Sequence, residues 1–329
     1  QESSLPVTLQ PVKLRIFALS LRFGTKDADL DRMPEGRGDS PSVPGGHGML
    51  CTLNYADRVF LEQQRRNTRT ALSPGGADQV FSFSPSDLEE DFRAKHREIL
   101  SQPRGAGYWL WKPYLVLRTL RLLPEGAFLF YCDAGAFFIR SLRHLETFCL
   151  ERDLWLLPFD LPFIEEQYTK AETFEILGCD TPAYRETNQI LASFFLVRNG
   201  EPARGFFEEY LRYAQDPLCL TDRLTVPQRE DFIEHRHDQS LFSLLCKKHG
   251  LASFRDPSQF GDFNYFRKGK EWEPHGGKRR RVVYREHPES TYPRILIAQR
   301  RDRGLALLKY RLDILRKDLK LRLTGYRFR

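Results

Sequence analysis

The chain has 329 residues, 41% of them hydrophobic and 29% charged, with a formal net charge of +7. That length suggests two domains or one large α/β domain with a core that needs no staples. The composition excludes disordered and collagen-like classes. The longest apolar runs, such as Ala127 to Cys132, fall far short of the roughly 20 residues a membrane-spanning helix needs. No charged segment followed by an apolar stretch marks a signal peptide. Six cysteines (Cys51, Cys132, Cys149, Cys179, Cys219 and Cys246) stand singly, with no Cys-x-x-Cys pair, which reads as reduced packing thiols in a cytoplasmic protein.

In chain order, Val12 to Leu21 is strand-like, and Thr25 to Gly48 is a long loop rich in Gly and Pro. A helix is expected near Tyr55 to Leu72, a strand over Gln79 to Phe83, and a helix opened by a Ser86-x-x-Glu89 capping box. Leu115 to Leu122 reads as a helix whose first turn holds Pro113, where a missing N–H costs nothing. Phe128 to Cys132 is a continuous apolar run, as in a central strand buried on both faces. Further strands are expected over Leu154 to Pro158 and Ser193 to Val197, with helices over Pro202 to Ala214 and Asp238 to His249. The alternation points to an α/β fold with a mostly parallel central sheet, one domain over 12–295 followed by a separate segment, 300–329.

Four clusters carry candidate chemistry. The strand at Phe128 ends on Asp133-Ala134-Gly135, and ligands in open α/β sheets bind beyond the carboxyl ends of strands. The two small residues leave room for close approach, although surface turns also carry Asp. The stretch from Gly105 to Tyr114 crowds Tyr108, Trp109, Trp111 and Lys112 together. Its tryptophans could be plain core, but a cation at a helix start opposes the macrodipole, so Lys112 needs a partner: a diphosphate or a neighbouring carboxylate. His235-Arg-His237-Asp238-Gln239-Ser240 opens a helix, with Asp238 as its N-cap or, together with His237, as a group facing a ligand. Glu186-Thr-Asn-Gln189 directly precedes a buried strand, and His287 lies late in the chain.

The segment 300–329 holds eleven basic and three acidic residues, so the rest of the chain is close to neutral. Within it Leu305, Leu308, Leu312, Leu315, Leu319 and Leu323 recur at spacings of three and four, the apolar stripe of an amphipathic helix. Such a helix can lie on an anionic membrane surface, or it can dock on the body and leave a solvated basic face. A neutral body with a basic tail does not suit a reader of specific nucleic acid.

Gly105-x-Gly107-Tyr-Trp-x-Trp-Lys-Pro-Tyr114, Tyr131-x-Asp133-Ala-Gly135 and His235-Arg-His-Asp-Gln-Ser240 together resemble a group of bacterial glycosyltransferase-like proteins found with surface-polysaccharide genes. The order of parts is similar to GT-A nucleotide-diphospho-sugar transferases of the glycogenin and lipopolysaccharide-galactosyltransferase type. The resemblance covers roughly residues 12 to 290. It implies a GT-A-like domain that transfers a sugar from a nucleotide-sugar donor to a glycan or lipid-linked acceptor, at the inner face of the cytoplasmic membrane. It implies donor contacts from Asp133, Lys112, Asp238 and Gln239, with Ala134, Gly135, Trp111, Tyr108 and Gln189 as further donor-side candidates; an inverting enzyme would take its base from Asp238 or Glu186, whereas a retaining one needs no base there. It also implies a Mn²⁺ or Mg²⁺ cofactor on Asp133, His237 and His287. One departure matters: Gly135 stands where the family has its second acid, a main metal ligand, so Lys112 or arginines such as Arg104 are the alternative counter-charge for the diphosphate.

Overall fold

The computed structural model describes residues 48–267, 269–299 and 305–324. The expected strand over Val12 to Leu21 and nearly all of the loop over 25–48 lie outside them. A five-stranded sheet forms the centre, in the order β2-β1-β3-β6-β5, from β1 (Leu50–Tyr55), β2 (Gln79–Phe83), β3 (Phe128–Cys132), β5 (Leu156–Ile164) and β6 (Asn188–Arg198). β1 pairs parallel to both β2 and β3, while β6 runs antiparallel to β3 and to β5. Four strands therefore point one way and β6 alone is reversed, which makes the fold α/β with a mostly parallel sheet. A small β4 (Ala136–Phe138) pairs with β9 (Leu296–Ala298), and β7 (Trp272–His275) forms a hairpin with β8 (Lys278–Arg281).

Both faces of the sheet are covered, as apolar side chains alternating along each strand require. From β3, Leu129 and Tyr131 enter one core with α2 (Trp111–Leu122), α4 (Glu201–Ala214) and α5 (Asp238–Lys248). Phe128, Phe130 and Cys132 enter a second core with α3 (Arg143–Glu151) and with Tyr292, Ile295 and Leu296, while α1 (Leu61–Leu72) adds Ala71. Each fully buried Phe or Leu contributes about 1.5–3 kcal/mol. All six cysteines are free thiols and buried, which fits their expected packing role.

Several expectations need correction. β1 was not foreseen, and Tyr55 closes that strand, so the next helix starts at Leu61. The capping box sits two residues earlier, at Ser84 and Asp87, on a single 3-10 turn, and Glu89 precedes a separate short helix. β5 runs on to Ile164 through two register shifts, between Leu157 and Phe159 and between Asp160 and Ile164, which accommodate Pro158 and Pro162. β6 starts at Asn188, so Asn188 and Gln189 belong to the strand.

The terminal helix α6 (Leu305–Leu323) docks on the body, but with the face opposite to the leucine stripe. Leu321 is buried, Tyr310 donates to the Ala298 carbonyl at 2.9 Å, and Arg294 grips Asp318 with two bonds of 2.6 and 3.1 Å. The Lys317 ammonium lies 4.9 Å from the Phe263 ring centre. Leu308, Leu312, Leu315, Leu319 and Leu323 face outward instead.

Candidate functional site

A cavity of about 1120 Å³ opens at the carboxyl end of β3, against residues Leu191 to Phe194 of the reversed β6. That reversal brings Asp133, just past the end of β3, beside the middle of β6: the Asp133 N–H donates to the Ser193 carbonyl at 2.8 Å. Among the sequence-derived candidates, Trp111, Lys112, Asp133, Ala134, Gly135, His237, Asp238 and Gln239 line the cavity. Tyr108, Gln189, Glu186 and His287 are not among its lining residues.

Lys112 is the centre of the site. α2 starts at Trp111, so Lys112 stands in its first turn, almost wholly buried between α2, β6 and α5. Its ammonium donates to Asp238 Oδ2 at 2.5 Å and to the Ala192 carbonyl at 3.0 Å, and lies 3.8 Å from Asp133 Oδ1. The Tyr131 ring centre is 4.9 Å from it. The partner that the helix macrodipole demanded is therefore a carboxylate of the protein itself.

Asp238 is the first residue of α5, while His237 takes the capping position, so Asp238 is not the N-cap. Burial pushes the Asp238 carboxyl up to about 6, against the pull of Lys112. The buried Tyr210 hydroxyl donates to the Asp238 carbonyl at 2.8 Å. Asp133 is more open, its side chain 27% exposed, and the Tyr131 hydroxyl holds its Oδ1 at 2.6 Å. Burial, with Asp133 beside it, raises the Tyr131 phenol well above its usual range, so it remains a donor.

A polar chain runs away from this centre. Gln239 donates to Gln189 at 2.8 Å, Gln189 to Glu165 at 3.1 Å, and Lys247 to the other Glu165 oxygen at 2.5 Å. Gln189 is fully buried and acts on Gln239 from behind the cavity wall. Glu186 is exposed at the end of a short helix, Pro182–Arg185.

The glycine-rich stretch shapes the rim. Gly105 has φ +61°, and a Cβ there would stand 2.3 Å from the Trp109 ring; Gly107 has φ +98°, with Leu100 Cα at 2.7 Å. Ala106, Tyr108 and Trp109 also adopt positive φ, a costly conformation for residues with a Cβ. Trp111 donates its indole N–H to the Gly105 carbonyl at 2.9 Å and stacks on Tyr55 at 3.8 Å. Across the rim His237, itself at φ +51°, packs against the Tyr108 and Trp109 rings at 4.6 and 5.8 Å. Burial lowers the His237 imidazole to about 4, so the ring is neutral at pH 7.

The three residues named for a metal do not assemble. Asp133 spends one oxygen on Tyr131 and Lys112. His237 Nδ1 lies 2.9 Å from the Leu220 carbonyl, and its Nε2 lies 3.7 Å from Asp222. His287 sits elsewhere, between Asp160 at 3.6 Å and Glu289 at 3.1 Å, and these carboxylates raise its pKa against the effect of burial. Among the described residues no group of three His, Cys, Asp or Glu is arranged to hold an ion. Among the described residues this donor set does not fit a divalent metal.

Some lining residues carry no recognisable local signal. Asp160 and Asp256 reach the cavity from remote segments, and Tyr310 reaches it from α6. Arg236, inside the His235–Ser240 motif, lies with its guanidinium 3.7 Å from the Tyr168 ring centre and 4.9 Å from that of Phe163. Arg104 stands at the mouth, 3.4 Å from Glu234 and 3.9 Å from Asp222.

No protein-family model and no curated protein sequence matches the chain. Among solved structures, galactosyltransferase LgtC in complex with donor and acceptor sugar analogues is similar over 76% of this chain and 86% of its own, at 13% identity and a TM-score of 0.41. Mouse xyloside xylosyltransferase 1 is similar over 75% and 96% of the two chains, at 11% identity and a TM-score of 0.41. Core-mannan synthase A from Aspergillus fumigatus, in its Mn/GDP form, is similar over 69% and 81%, at 11% identity and a TM-score of 0.38.

Proposed function

We propose that the chain is a glycosyltransferase that moves a sugar from a nucleotide-sugar donor to a hydroxyl of a glycan or lipid-linked acceptor in bacterial surface-polysaccharide synthesis. One observation carries this reading: Lys112 is clasped by Asp238 and stands 3.8 Å from Asp133 at the wall of a cavity of about 1120 Å³. Such a volume is roomy for a nucleoside diphospho-sugar. The three motifs that resemble glycosyltransferases supply this same lysine, both aspartates and the aromatic rim.

Asp133, fixed through Oδ1, offers its other oxygen to hydroxyls of the donor. Trp109 and Trp111 offer aromatic surface to its base or sugar. When the glycosyl bond breaks, negative charge develops on the leaving diphosphate, and catalysis needs preorganised positive groups there. Arg104, Arg236 and Arg267 line the cavity and are the side chains suited to that role. Lys112 keeps the two aspartates in place. Asp238, with its pKa near 6, is matched to accepting an acceptor proton at neutral pH once the bound substrates draw it from Lys112. Gln239, held by Gln189, orients the sugar beside it.

The test is a thermal-shift series with nucleoside diphosphates and nucleotide sugars, with and without Mn²⁺. A ligand at about 100 times its Kd stabilises the folded state by about 2.7 kcal/mol, a shift of several degrees. Asp133→Ala is expected to abolish that shift and sugar transfer while the apo protein stays folded. If no nucleotide or nucleotide sugar moves the transition, the reading is wrong. Gly135 in place of a second acid favours a second reading, a protein that binds the donor without turning it over. Donor binding without transfer across a panel of acceptors would select it.

A further inference from the structure

The leucine stripe of α6 meets no described residue that covers it. Leu308, Leu312, Leu315, Leu319 and Leu323 are 56, 56, 62, 58 and 78% exposed. Isolated exposed leucines are ordinary, but five in one row along a single helix face form a continuous apolar strip. The helix cannot turn it inward, because its opposite face is already committed. Tyr310 bonds the Ala298 carbonyl, Asp318 is gripped by Arg294, and Leu321 is buried.

The flanks of the strip identify what covers it. At 3.6 residues per turn, Arg311 and Arg322 project along one edge of the leucine row, and Lys309, Arg316 and Lys320 along the other. All five are exposed, while the helix's two acids lie off the strip: Asp318 on the docked face and Asp313 paired with Lys317 at 2.7 Å. An apolar row between two basic margins matches an anionic bilayer, where the leucines enter the acyl boundary and the cations meet phosphates. No helix among the described residues is long and apolar enough to cross a membrane, so the contact is superficial.

We infer that α6 is an interfacial helix: its leucine face docks the protein on an anionic lipid surface while its opposite face, through Tyr310, forms part of the cavity wall. The docked helix therefore holds the cavity in a fixed orientation to the headgroups. This goes beyond the sugar-transfer reading and does not depend on it.

The experiment is co-sedimentation of the full chain with vesicles of phosphatidylcholine alone, or mixed with an equal amount of phosphatidylglycerol, without any nucleotide. The expected result is partitioning at least about 10-fold stronger on the anionic vesicles, lost at about 1 M salt, where the Debye length falls to about 3 Å. The triple variant Leu312→Asp, Leu315→Asp, Leu319→Asp is expected to lose vesicle binding with an unchanged unfolding transition, since all three side chains face solvent. Equal binding to both vesicle types, or retained binding by the triple variant, overturns the inference. So does a wild-type chain that ignores vesicles and dimerises in light scattering while the triple variant is monomeric, since the strip is then a contact between copies. Failure here leaves the nucleotide shift untouched, and failure of that shift leaves vesicle binding untouched.

Discussion

Lys112→Met is the most informative single change, because it removes the charge at the centre of the site and nearly keeps the volume. At an effective dielectric of about 20, the 2.5 Å contact with Asp238 has a gross Coulomb value of about 7 kcal/mol, and the 3.8 Å contact with Asp133 about 4 kcal/mol. Desolvation of each buried ion offsets several kcal/mol of that, so the expected net loss is about 3–5 kcal/mol, as for other broken buried pairs. The loss depends on pH. Asp238 already sits near 6, and without Lys112 its folded pKa rises further above its unfolded value. A raised folded pKa confers stability that is complete below the unfolded pKa and vanishes as pH climbs through the folded one. The variant should therefore lose about 1.4 kcal/mol for each pH unit between those two values. Urea unfolding at about pH 5 and about pH 8 measures the difference, with the larger deficit at pH 8. Adding Asp238→Leu should recover more than half of the pH 8 deficit, since an apolar pair replaces a stranded charge. Equal deficits at both pH values and no recovery in the double variant would refute the reasoning.

Gly105→Ala meets both a left-handed backbone and the Trp109 ring at 2.3 Å, whereas Gly250→Ala meets only a positive φ of +66° in open space. Denaturant titration should give a loss of about 2–4 kcal/mol for the first and about 1 kcal/mol for the second. Glu172 is buried, which alone would raise its pKa, but the Thr225 and Val226 N–H groups and Gln228 bring it down to about 2. A depressed folded pKa gives stability that is present above the unfolded value and fades as pH drops through the folded one. The advantage of wild type over Glu172→Gln should thus grow by about 3 kcal/mol between about pH 2 and about pH 5. The six buried thiols should not react with Ellman's reagent until denaturant opens both cores, because burial raises thiols such as Cys51 and Cys219 to about 12.

Local signals in the sequence are legible where one element supplies them. The continuous apolar run of β3, the proline in the first turn of α2 and the start of α5 each gave the right element. β1 escaped because Leu-Cys-Thr-Leu-Asn-Tyr mixes polar and apolar residues and is buried throughout only by its two neighbours. At the site, Lys112, Asp133 and Asp238 were each singled out, but not the direct pairing of Lys112 with Asp238. That depends on the reversed β6, which places the Ala192 carbonyl beside the ammonium. Asp160, Asp256 and Tyr310 were illegible, since each reaches the cavity from a segment with no motif of its own. In α6 the leucine spacing was plain, while the docked side was set by Arg294 and Asp318, residues that pattern alone does not rank.

The lips of the cavity are braced against each other. Ala106, Tyr108 and Trp109 on one side and His237 on the other hold backbone conformations that are costly for residues with a Cβ, and the Tyr108 and Trp109 rings lean on the imidazole across the gap. Grafting either segment from another protein without its counterpart would remove these ring contacts and reshape the opening, so the two segments work as one part.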